Sequence, residues 1–357
     1  MAAFSVATLL PLPLLLLAAT LGGWFGWAAL LYLTVFSAAM DRLIPQNWRN
    51  RNPHAEFPAS TGLSQVLGVA HLWMLVAAIF WIGGPAGADG TDALVAGAAF
   101  GVWFGQVSHP NAHELIHRPE REARQLGRLV YTTLLFGHHA SSHPKVHHVH
   151  VATPGDPNSA RPGEGFWRFA LRAWTGSFFK GLAAEHRDLR RAGKSMFGTP
   201  YVAYVGGGAG TLLIAWALAG PTGIATLLAL AGFAQLQILL SDYVQHYGLE
   251  RQELADGRYE PVGPEHAWNS PHAMSGAMML NAPRHSDHHM HPTRPHPALQ
   301  LNEVTMPVLP YSLPVMGSLA LIPPLWRRVM RDRTIHWHHG TAEYDFADYG
   351  MEREDAA

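Results

Sequence analysis

Six apolar stretches, each about 20 residues long, are the strongest constraint on how this chain can fold. A helix needs about 20 apolar residues to cross the hydrocarbon core of a bilayer, which is ~30 Å thick. In lipid, such a stretch satisfies its own backbone hydrogen bonds when it is helical. The sequence therefore predicts an all-α polytopic membrane protein with six transmembrane helices, at about residues 5–21, 24–40, 64–84, 92–112, 200–219 and 222–244.

Glycine and proline separate the stretches that follow each other closely. Gly22-Gly23 divides the first pair and Gly220-Pro221 divides the last pair, which predicts tight turns between antiparallel spans. The first stretch lacks the basic residues that begin a signal peptide, so we count it as a span. A seventh stretch, around 307–325, is interrupted by prolines, and we expect it to pack on the protein or at the membrane surface without crossing.

The basic residues support this map. All 25 lysine and arginine residues lie in segments 42–62, 118–200 and 251–357, which six spans place on one side of the membrane. By the positive-inside rule that side is the cytoplasm. We expect a protein of a bacterial-type inner (plasma) membrane with both termini cytoplasmic. The predicted organisation is four helices in 1–112, a cytoplasmic histidine-rich segment in 113–199, two helices in 200–246 and a cytoplasmic C-terminal segment in 247–357.

Composition excludes several classes of protein. Charged residues make up only 14% of the chain, and the net charge of −1 argues against nucleic-acid binding, which needs a basic surface. There is no cysteine, which excludes disulfides, iron–sulfur clusters and zinc sites built on thiolates. There are 23 histidines, and imidazole is a ligand that suits iron, zinc, copper and nickel.

Four sets of histidines are predicted at one depth, where the spans meet the cytoplasm. The first set is an i, i+4 pair, which shares one helix face. Nine imidazoles are too many for one metal ion and suit two, so we expect a cytoplasmic active site with two ions. The candidate ligands are His113, His117, His143, His147, His148, His246, His285, His288 and His289.

The other histidines are assigned to weaker roles. Five are candidates for the surroundings of the metal site or for polar loops: His138, His139, His150, His291 and His296. The following are interpreted as structural or solvated: His54, His71, His186, His266, His272, His336, His338 and His339.

A zinc peptidase is an alternative, because His113-Glu114-Leu115-Ile116-His117 fits the pattern in which two histidines bind zinc and the glutamate acts as general base. Such a site needs one further ligand and leaves the clusters at 143–148 and 285–289 unexplained. A non-catalytic metal-binding or transport protein is a further alternative. A transporter should carry charged residues within its spans, and these have essentially none.

With these motifs laid out, the chain resembles the integral-membrane alkane monooxygenases, within the wider group of membrane fatty-acid desaturases and hydroxylases. The resemblance extends from about residue 100 to 300. The three residues between His143 and His147 are similar to the hydroxylase pattern, since desaturases usually have two. Ser142 stands where the family often has an acidic residue. The matching stretches are 113–118 (HELIHR), 147–161 (HHVHVATPGDPNSAR), 243–249 (YVQHYGL) and 284–292 (RHSDHHMHP).

This resemblance implies a non-haem di-iron centre that uses O2 to hydroxylate the terminal carbon of a medium-chain n-alkane to a 1-alcohol. The nine candidate histidines would hold two Fe ions, and no catalytic residue beyond the metal ligands is expected. Another apolar substrate, an alkyl-aromatic side chain or a fatty acyl chain, stays open. Histidine ligands commonly donate their second N–H to a carboxylate. The candidates for that role are Glu114, Asp156, Asp242 and Asp287.

The partners follow from the same resemblance. No GxGxxG motif on a strand–helix unit is present, so flavin and nicotinamide must be on other proteins. Electrons are expected from rubredoxin or a ferredoxin with its reductase, and the apolar substrate is expected to arrive from membrane lipid. Candidates for a donor docking patch are Arg118, Arg121, Arg124, Lys145 and Arg161. Candidates for closing the substrate groove are Trp24, Trp27, Trp73, Trp81 and Trp103.

Overall fold

The computed structural model describes residues 1–84 and 90–337, and helices carry this part of the chain. Its extended pairings are two isolated bridges, Glu253 with Tyr259 and Asn269 with Val308. The predicted all-α class is confirmed. The helices are α1 (Ala2–Leu21), α2 (Trp24–Leu43), α3 (Pro58–Gly83), α4 (Gly90–Trp103), α5 (His109–Ile116), α6 (Arg121–Thr133), α7 (His139–Ser142), α8 (His148–His150), α9 (Phe166–Arg191), α10 (Tyr201–His246), α11 (Ala273–Met278), α12 (His285–Met290), α13 (Leu313–Ala320) and α14 (Pro323–Trp337).

Three short π-helical segments interrupt or join these helices. Tyr32–Phe36 lies within α2, Phe104–Ser108 joins α4 to α5, and His143–His147 joins α7 to α8. Single turns of π-helix are uncommon and frequently occur at functional sites. Tyr32–Phe36 and Phe104–Ser108 line a cavity, and His143–His147 lies among the clustered histidines.

Four of the described helices, α1, α2, α3 and α10, are long and apolar enough to cross a membrane. The 46 residues of α10 would make a rod of about 69 Å, far longer than a bilayer core. The helix is broken at Ala219 and Gly220, where φ of Gly220 is +59°, so it forms two legs. The predicted fourth span runs continuously through α4, the π-helical segment and α5, but it is not among these four. Six spans therefore stay a prediction.

The turn between α1 and α2 shows why its glycines are needed. Gly22 and Gly23 have φ values of +64° and +59°, a region that residues with a Cβ rarely adopt. The backbone N–H of Gly23 donates to Oδ2 of Asp92 at 2.9 Å, which ties this turn to the start of α4. Part of the loop predicted before α4, residues 85–89, lies outside the described residues.

The apolar core holds the ends of α5 and α10 in place. Leu67, Trp103, Phe104 and Leu227 are fully buried in one cluster shared by α3, α4 and α10. Between helices in lipid, side chains of this size stabilise the fold mainly through close van der Waals packing. α13, from the predicted seventh stretch, packs against α10 and buries Met316.

Helix α9 lies within residues 113–199, where the sequence predicted a cytoplasmic histidine-rich segment without specifying a long helix. Its 26 residues bury Phe166 and Phe169 against the protein. Another face exposes Trp167, Leu171 and Phe179, each more than half accessible. This helix was not predicted from the sequence. Its arginines give it a polar average composition, and its aromatic residues are too widely spaced to stand out as an apolar stretch, although one face is strongly apolar.

Candidate metal centre

Nine histidine side chains meet in two adjacent groups beside the ends of α5 and α10. Within each group, one ring nitrogen of every member lies within 4.8 Å of the others. The ring centroids of His148 and His289, one from each group, are 4.5 Å apart. The five-histidine group contains His113, His117, His143, His148 and His288. The four-histidine group contains His147, His246, His285 and His289. Together they are the nine ligands proposed from the sequence.

The first two histidines are positioned by the end of a long helical run. His113 lies in the last turn of α5, and His117 is the residue at which that helix ends. Four residues apart, they share a face, and their ring centroids are 5.0 Å apart. The run from Gly90 to Ile116 has no break, so it brings both imidazoles to the end of an apolar helix.

The π-helical segment His143–His147 explains how one short stretch supplies both groups. A π-helix bonds residue i to residue i+5, so residues five apart lie on one face. His143 and His148 are five apart, and their Nε2 atoms are 3.0 Å apart in the five-histidine group. His147, four residues from His143 and with its ring centroid 5.0 Å from that of His143, belongs to the other group. The third residue of the His143-x-x-x-His147 spacing is thus accommodated by widening the helix.

Helix α12 also serves both groups. His285 and His289 are four residues apart and face His246 at the end of α10, with Nε2 of His285 at 3.0 Å from His246 and 3.1 Å from His289. His288 faces the other way, with its Nε2 3.1 Å from that of His148. One short helix therefore contributes histidines to both groups.

The distances between nitrogens fit metal ligation. Two neutral imidazoles that face each other with lone pairs repel, unless a cation lies between them. Ligands at ~2.1 Å from an ion and at right angles to each other have nitrogens about 3.0 Å apart. In the five-histidine group, Nε2 of His143 lies 2.7 Å from that of His113 and 3.0 Å from that of His148. Nε2 of His117 and of His147 are buried and have no hydrogen-bond partner, as ligand atoms would.

The rings are held in the neutral form that a metal ion requires. Burial, with a smaller contribution from neighbouring imidazoles, lowers the pKa of His143, His148 and His288 well below the usual value. A neutral ring offers a nitrogen lone pair to a cation. Burial therefore disfavours protonation of these three rings and leaves their nitrogen lone pairs available to a cation.

Asp156 fixes the orientation of His147. Its Oδ2 lies 2.8 Å from Nδ1 of His147, which leaves Nε2 facing the four-histidine group. The same carboxylate accepts from the hydroxyl of Ser159 at 2.7 Å and from the backbone N–H of Asn158 at 3.1 Å. Burial lowers the pKa of His147, but the charge of Asp156 and its hydrogen bond outweigh this and raise it. Sequence reasoning missed Asn158 and Ser159, although Asp-x-Asn-Ser is a turn pattern that places such donors.

Glu114 does not orient a ligand histidine, which corrects the role considered for it. Its carboxylate pairs with Arg118 at 2.7 Å and accepts from the backbone N–H of His296 at 3.1 Å. The positive charge of Arg118 and the hydrogen bond from His296 both favour the ionised carboxylate. A peptidase needs this glutamate as a base beside the metal. Here it stabilises the segment around His296, so the geometry argues against the zinc-peptidase alternative.

Asp242 and Asp287 also have other partners than ligand rings. Asp242 accepts from Nδ2 of Asn158 at 2.7 Å. Asp287 pairs with Arg294 and accepts from the backbone N–H of Gln300 at 2.9 Å. Asp287 directly precedes His288, and Asp242 lies four residues before His246, but the hydrogen bonds of both carboxylates go to other groups. Their proposed contact with the ligands is therefore not observed.

The five histidines assigned to the surroundings contribute no nitrogen to either group. His139 stacks on the ligand His143 with centroids 5.0 Å apart, and His138 lies 3.2 Å from the hydroxyl of Ser177. His296 contacts Glu114, His291 contacts Asp287, and His150 is exposed. His338 and His339 lie outside the described residues.

A third cluster, Glu260, Glu265 and His266, has potential ligand atoms close together but the wrong proton arrangement for a metal. The backbone N–H of Gly263 donates to Nδ1 of His266 at 2.8 Å. A neutral ring then carries its proton on Nε2, which faces Glu260 at 3.2 Å. That proton occupies the position a metal would need.

Comparison with known proteins supports the pattern of this centre. The model of the fatty acid desaturase family matches residues 90–320, which include all nine histidines. Alkane 1-monooxygenase 1 of Alcanivorax borkumensis is 38% identical over 236 residues, 64% of this chain and 57% of that protein. Alkane 1-monooxygenase of Pseudomonas putida is 36% identical over 234 residues, with the same coverage. The match thus spans little more than half the length of these two relatives.

A third relative matches nearly end to end. Alkane 1-monooxygenase 1 of Pseudomonas aeruginosa is 30% identical over 342 residues, which is 93% of this chain and 89% of that protein. The chain belongs to the alkane 1-monooxygenase family. Membership in this branch of the membrane desaturase and hydroxylase group confirms the resemblance drawn from the histidine motifs.

Two neighbouring cavities lie between the histidine groups and the apolar helices. A cavity of about 280 Å³ lies between α2, α4, α10 and α13, and its walls include Val102, Phe233 and Leu313. A small cavity of about 20 Å³ lies against the ligands His113, His143 and His285. Both cavities are lined by Ser241 and Met279. The apolar cavity therefore abuts the chamber at the metal centre.

None of the five tryptophans considered as gates lines the larger cavity. Trp24 and Trp73 are 86% and 70% exposed on the outside of the helices, whereas Trp103 is buried in the core. Two π-helical segments do reach the cavity, through Thr34 and through Gln106. Sequence pattern alone does not show which face of a helix lines a cavity between several helices.

The basic residues considered for donor docking are largely engaged within the protein. Arg118 is buried and paired with Glu114. Lys145 bonds Glu185 at 2.8 Å and Asp188 at 2.7 Å. Arg124 donates to backbone carbonyls of the loop before α6. The five-residue patch is therefore reduced to two exposed members, Arg121 and Arg161.

Proposed function

We propose that this chain is a di-iron monooxygenase that hydroxylates the terminal carbon of a medium-chain n-alkane to a 1-alcohol, using O2. The observation that carries the proposal is that nine imidazoles converge in two groups, and that three of them line a small cavity next to an apolar one. A metal centre that opened only to water would serve hydrolysis equally well. A centre with an apolar cavity beside it suits a hydrocarbon.

In this proposal the five-histidine group holds one iron and the four-histidine group holds the other. Bound iron supplies the O2 activation that breaks a strong C–H bond, which no side chain can do. The protein's part is to hold neutral imidazoles rigidly, with Asp156 fixing one ring from outside. Sites with only nitrogen ligands also leave room for a small molecule to bind.

The alkane is proposed to lie in the larger cavity with one end in the chamber. Phe233, Leu236 and Leu313 contact its chain, and Met279 borders the passage between the two cavities. Holding the chain along the cavity presents its terminal carbon rather than an inner one, because only an end reaches the small chamber. The apolar walls also exclude water, which would compete for the oxidant.

The reaction consumes O2, two electrons and two protons for each alkane. One oxygen atom enters the terminal C–H bond, and the other leaves as water. Electrons are proposed to come from rubredoxin or a ferredoxin. Val149 and His150 are exposed and directly follow His148 in the sequence, and Arg161 is exposed further along the same segment of chain. An acidic donor that docks there would deliver electrons to the five-histidine group.

The topology proposed with this function has six spans. The two legs of α10 count as two spans, and the run from Gly90 to Ile116 supplies the other one. Because all 25 basic residues then lie on one side, both termini and the centre face the cytoplasm of a bacterial-type inner membrane. Soluble electron donors and their reductase are available on that side.

The test is the metal content and product of detergent-purified protein, for wild type and for His288→Ala. About two irons per chain and 1-alcohol from medium-chain alkanes are expected for wild type, with iron reduced in the variant. His266→Ala is a matched control, since that histidine lies outside both groups. One zinc per chain, unchanged in His288→Ala, would overturn the proposal. If the protein oxidises only alkyl-aromatic or fatty acyl substrates, the proposal of a di-iron centre would hold and the proposed alkane substrate would be wrong.

A further inference from the structure

A buried tyrosine and a buried histidine form a pair beside the five-histidine group. Tyr131, on α6, has no exposed surface, and its hydroxyl lies 3.0 Å from Nδ1 of His109, the first residue of α5. Neither residue is among the nine histidines or their carboxylate partners. His109 also lines the small chamber at the centre.

Stacked rings connect this pair to a ligand. The ring centroid of Tyr131 lies 4.8 Å from that of His139, and His139 stacks on the ligand His143 at 5.0 Å with planes 30° apart. His109 lies 6.3 Å from the ligand His113 by the same measure. An oxidisable phenol thus lies two ring contacts from the metal centre, with no exposed residue between them.

The hydrogen bond places a proton acceptor, Nδ1 of His109, next to the phenolic hydroxyl. In the tautomer of His109 that carries its proton on Nε2, the phenolic hydroxyl donates to Nδ1, and Nδ1 can then take up the phenolic proton. Two other buried tyrosines, Tyr201 and Tyr243, differ in this respect. The hydroxyl of Tyr201 donates to the backbone carbonyl of Phe178, and that of Tyr243 to the carbonyl of Glu164, and neither carbonyl can take up a proton.

We propose that Tyr131 and His109 form a redox pair that reduces the metal centre after it has reacted with O2 while no substrate lies in the cavity. The inference rests on the proposed function, which supplies the oxidant. Tyr131 loses one electron through the rings of His139 and His143, and the centre is reduced by that electron. The phenolic proton moves to Nδ1 of His109, so a neutral phenoxyl radical and an imidazolium result.

The pair returns to its starting state with electrons from the same donor that serves hydroxylation. One electron reduces the phenoxyl radical, and the proton on His109 returns to the phenolate oxygen. Over the whole unproductive cycle, four electrons and four protons reduce O2 to two waters. Two electrons are loaded before O2 reacts, one comes from Tyr131 and is later replaced by the donor, and one comes from the donor directly, with the protons taken from solvent. The pair thereby protects the imidazole ligands, which are the nearest oxidisable groups when no C–H bond is presented.

The test is freeze-quench EPR of iron-loaded protein, reduced and then mixed with O2 without alkane. Wild type is expected to give a tyrosyl radical, identified by narrowing of its signal after labelling with ring-deuterated tyrosine. Tyr131→Phe keeps the ring contacts and is expected to lose the signal. Tyr201→Phe, a matched loss of one buried hydroxyl, is expected to keep it. His109→Leu should reduce the yield of the radical although Tyr131 is present.

A signal unchanged in Tyr131→Phe, or absent from wild type, would overturn the inference. Alcohol formation from alkane is measured in parallel on the same preparations. If wild type forms alcohol but no radical, the redox pair is contradicted and the proposed function is not. If wild type forms no alcohol and binds no iron, both are contradicted. Peptide mass spectrometry after repeated turnover without alkane gives a second readout, since loss of Tyr131 should move oxidative damage onto the ligand histidines.

Discussion

The carboxylate of Asp156 and the imidazole of His147 are joined through Oδ2 and Nδ1 at 2.8 Å, both fully inside the protein. This contact fixes the ring of His147. The histidines before and after it in this stretch, His143 and His148, belong to the five-histidine group, whereas His147 belongs to the four-histidine group. The contact also places a negative charge beside the four-histidine group, whereas within residues 1–84 and 90–337 no carboxylate is hydrogen-bonded to a ring of the five-histidine group. The two histidine groups therefore differ in their electrostatic surroundings.

Asp156→Asn should weaken iron binding about 10- to 100-fold, as is usual when a partner of a ligand histidine is lost. Asparagine fills the same space but lacks the charge that raises the pKa of His147. Titration of metal-free protein with ferrous iron gives the affinity. Asp188→Asn serves as control, because that carboxylate lies on α9 and contacts Lys145. Equal affinities for Asp156→Asn and wild type would contradict this role.

Gly317→Phe should shift turnover toward shorter alkanes without loss of iron. Gly317 lines the larger cavity, and a Cβ added there would meet its nearest atom, Cβ of Leu240, at 4.0 Å, which is ordinary contact. A phenyl ring at this position fills the cavity rather than the core. Relative rates over a series of n-alkanes check the shift. Gly232→Phe, at an exposed position of α10, should leave the series unchanged.

Glu114→Gln should destabilise the protein by about 3–5 kcal/mol while iron binding persists. The change leaves Arg118 buried without its partner, which is the costly way to break a buried ion pair. Denaturant or thermal unfolding in detergent measures the loss. The double variant Glu114→Gln with Arg118→Met should recover much of it. A Glu114→Gln protein of wild-type stability would show that the pair is not a stabilising element.

Arg161→Glu should slow electron transfer from a protein donor about tenfold at low salt, since a charge reversal in a docking surface acts mainly on association. The rate with a small chemical reductant should stay as in wild type. Arg328→Glu, an equal charge change at an exposed position of α14, is the control. A parallel fall with both kinds of reductant would place Arg161 in the structure of the centre instead.

Much of the fold was predictable because its causes are local. Apolar length and Gly22-Gly23 or Gly220-Pro221 are enough to locate helices and turns, and three predicted spans correspond to α1, α2 and α3. α9 was not predicted, because an arginine-rich helix with a separate apolar face has an average composition like that of a loop. The count of six spans depends on how the run from Gly90 to Ile116 lies in the membrane.

The candidate site shows the same division. The sequence by itself determined which nine histidines are available, because i, i+4 spacing and placement at helix ends are properties of single segments. Only the tertiary structure decided how they divide into groups of five and four, because the π-helical turn at His143–His147 and the crossing of α12 set the direction of each ring. It also decided that Asp156 contacts a ligand whereas Glu114 contacts Arg118. Side-chain direction depends on which helices pack together, and that is a property of the whole chain rather than of any motif.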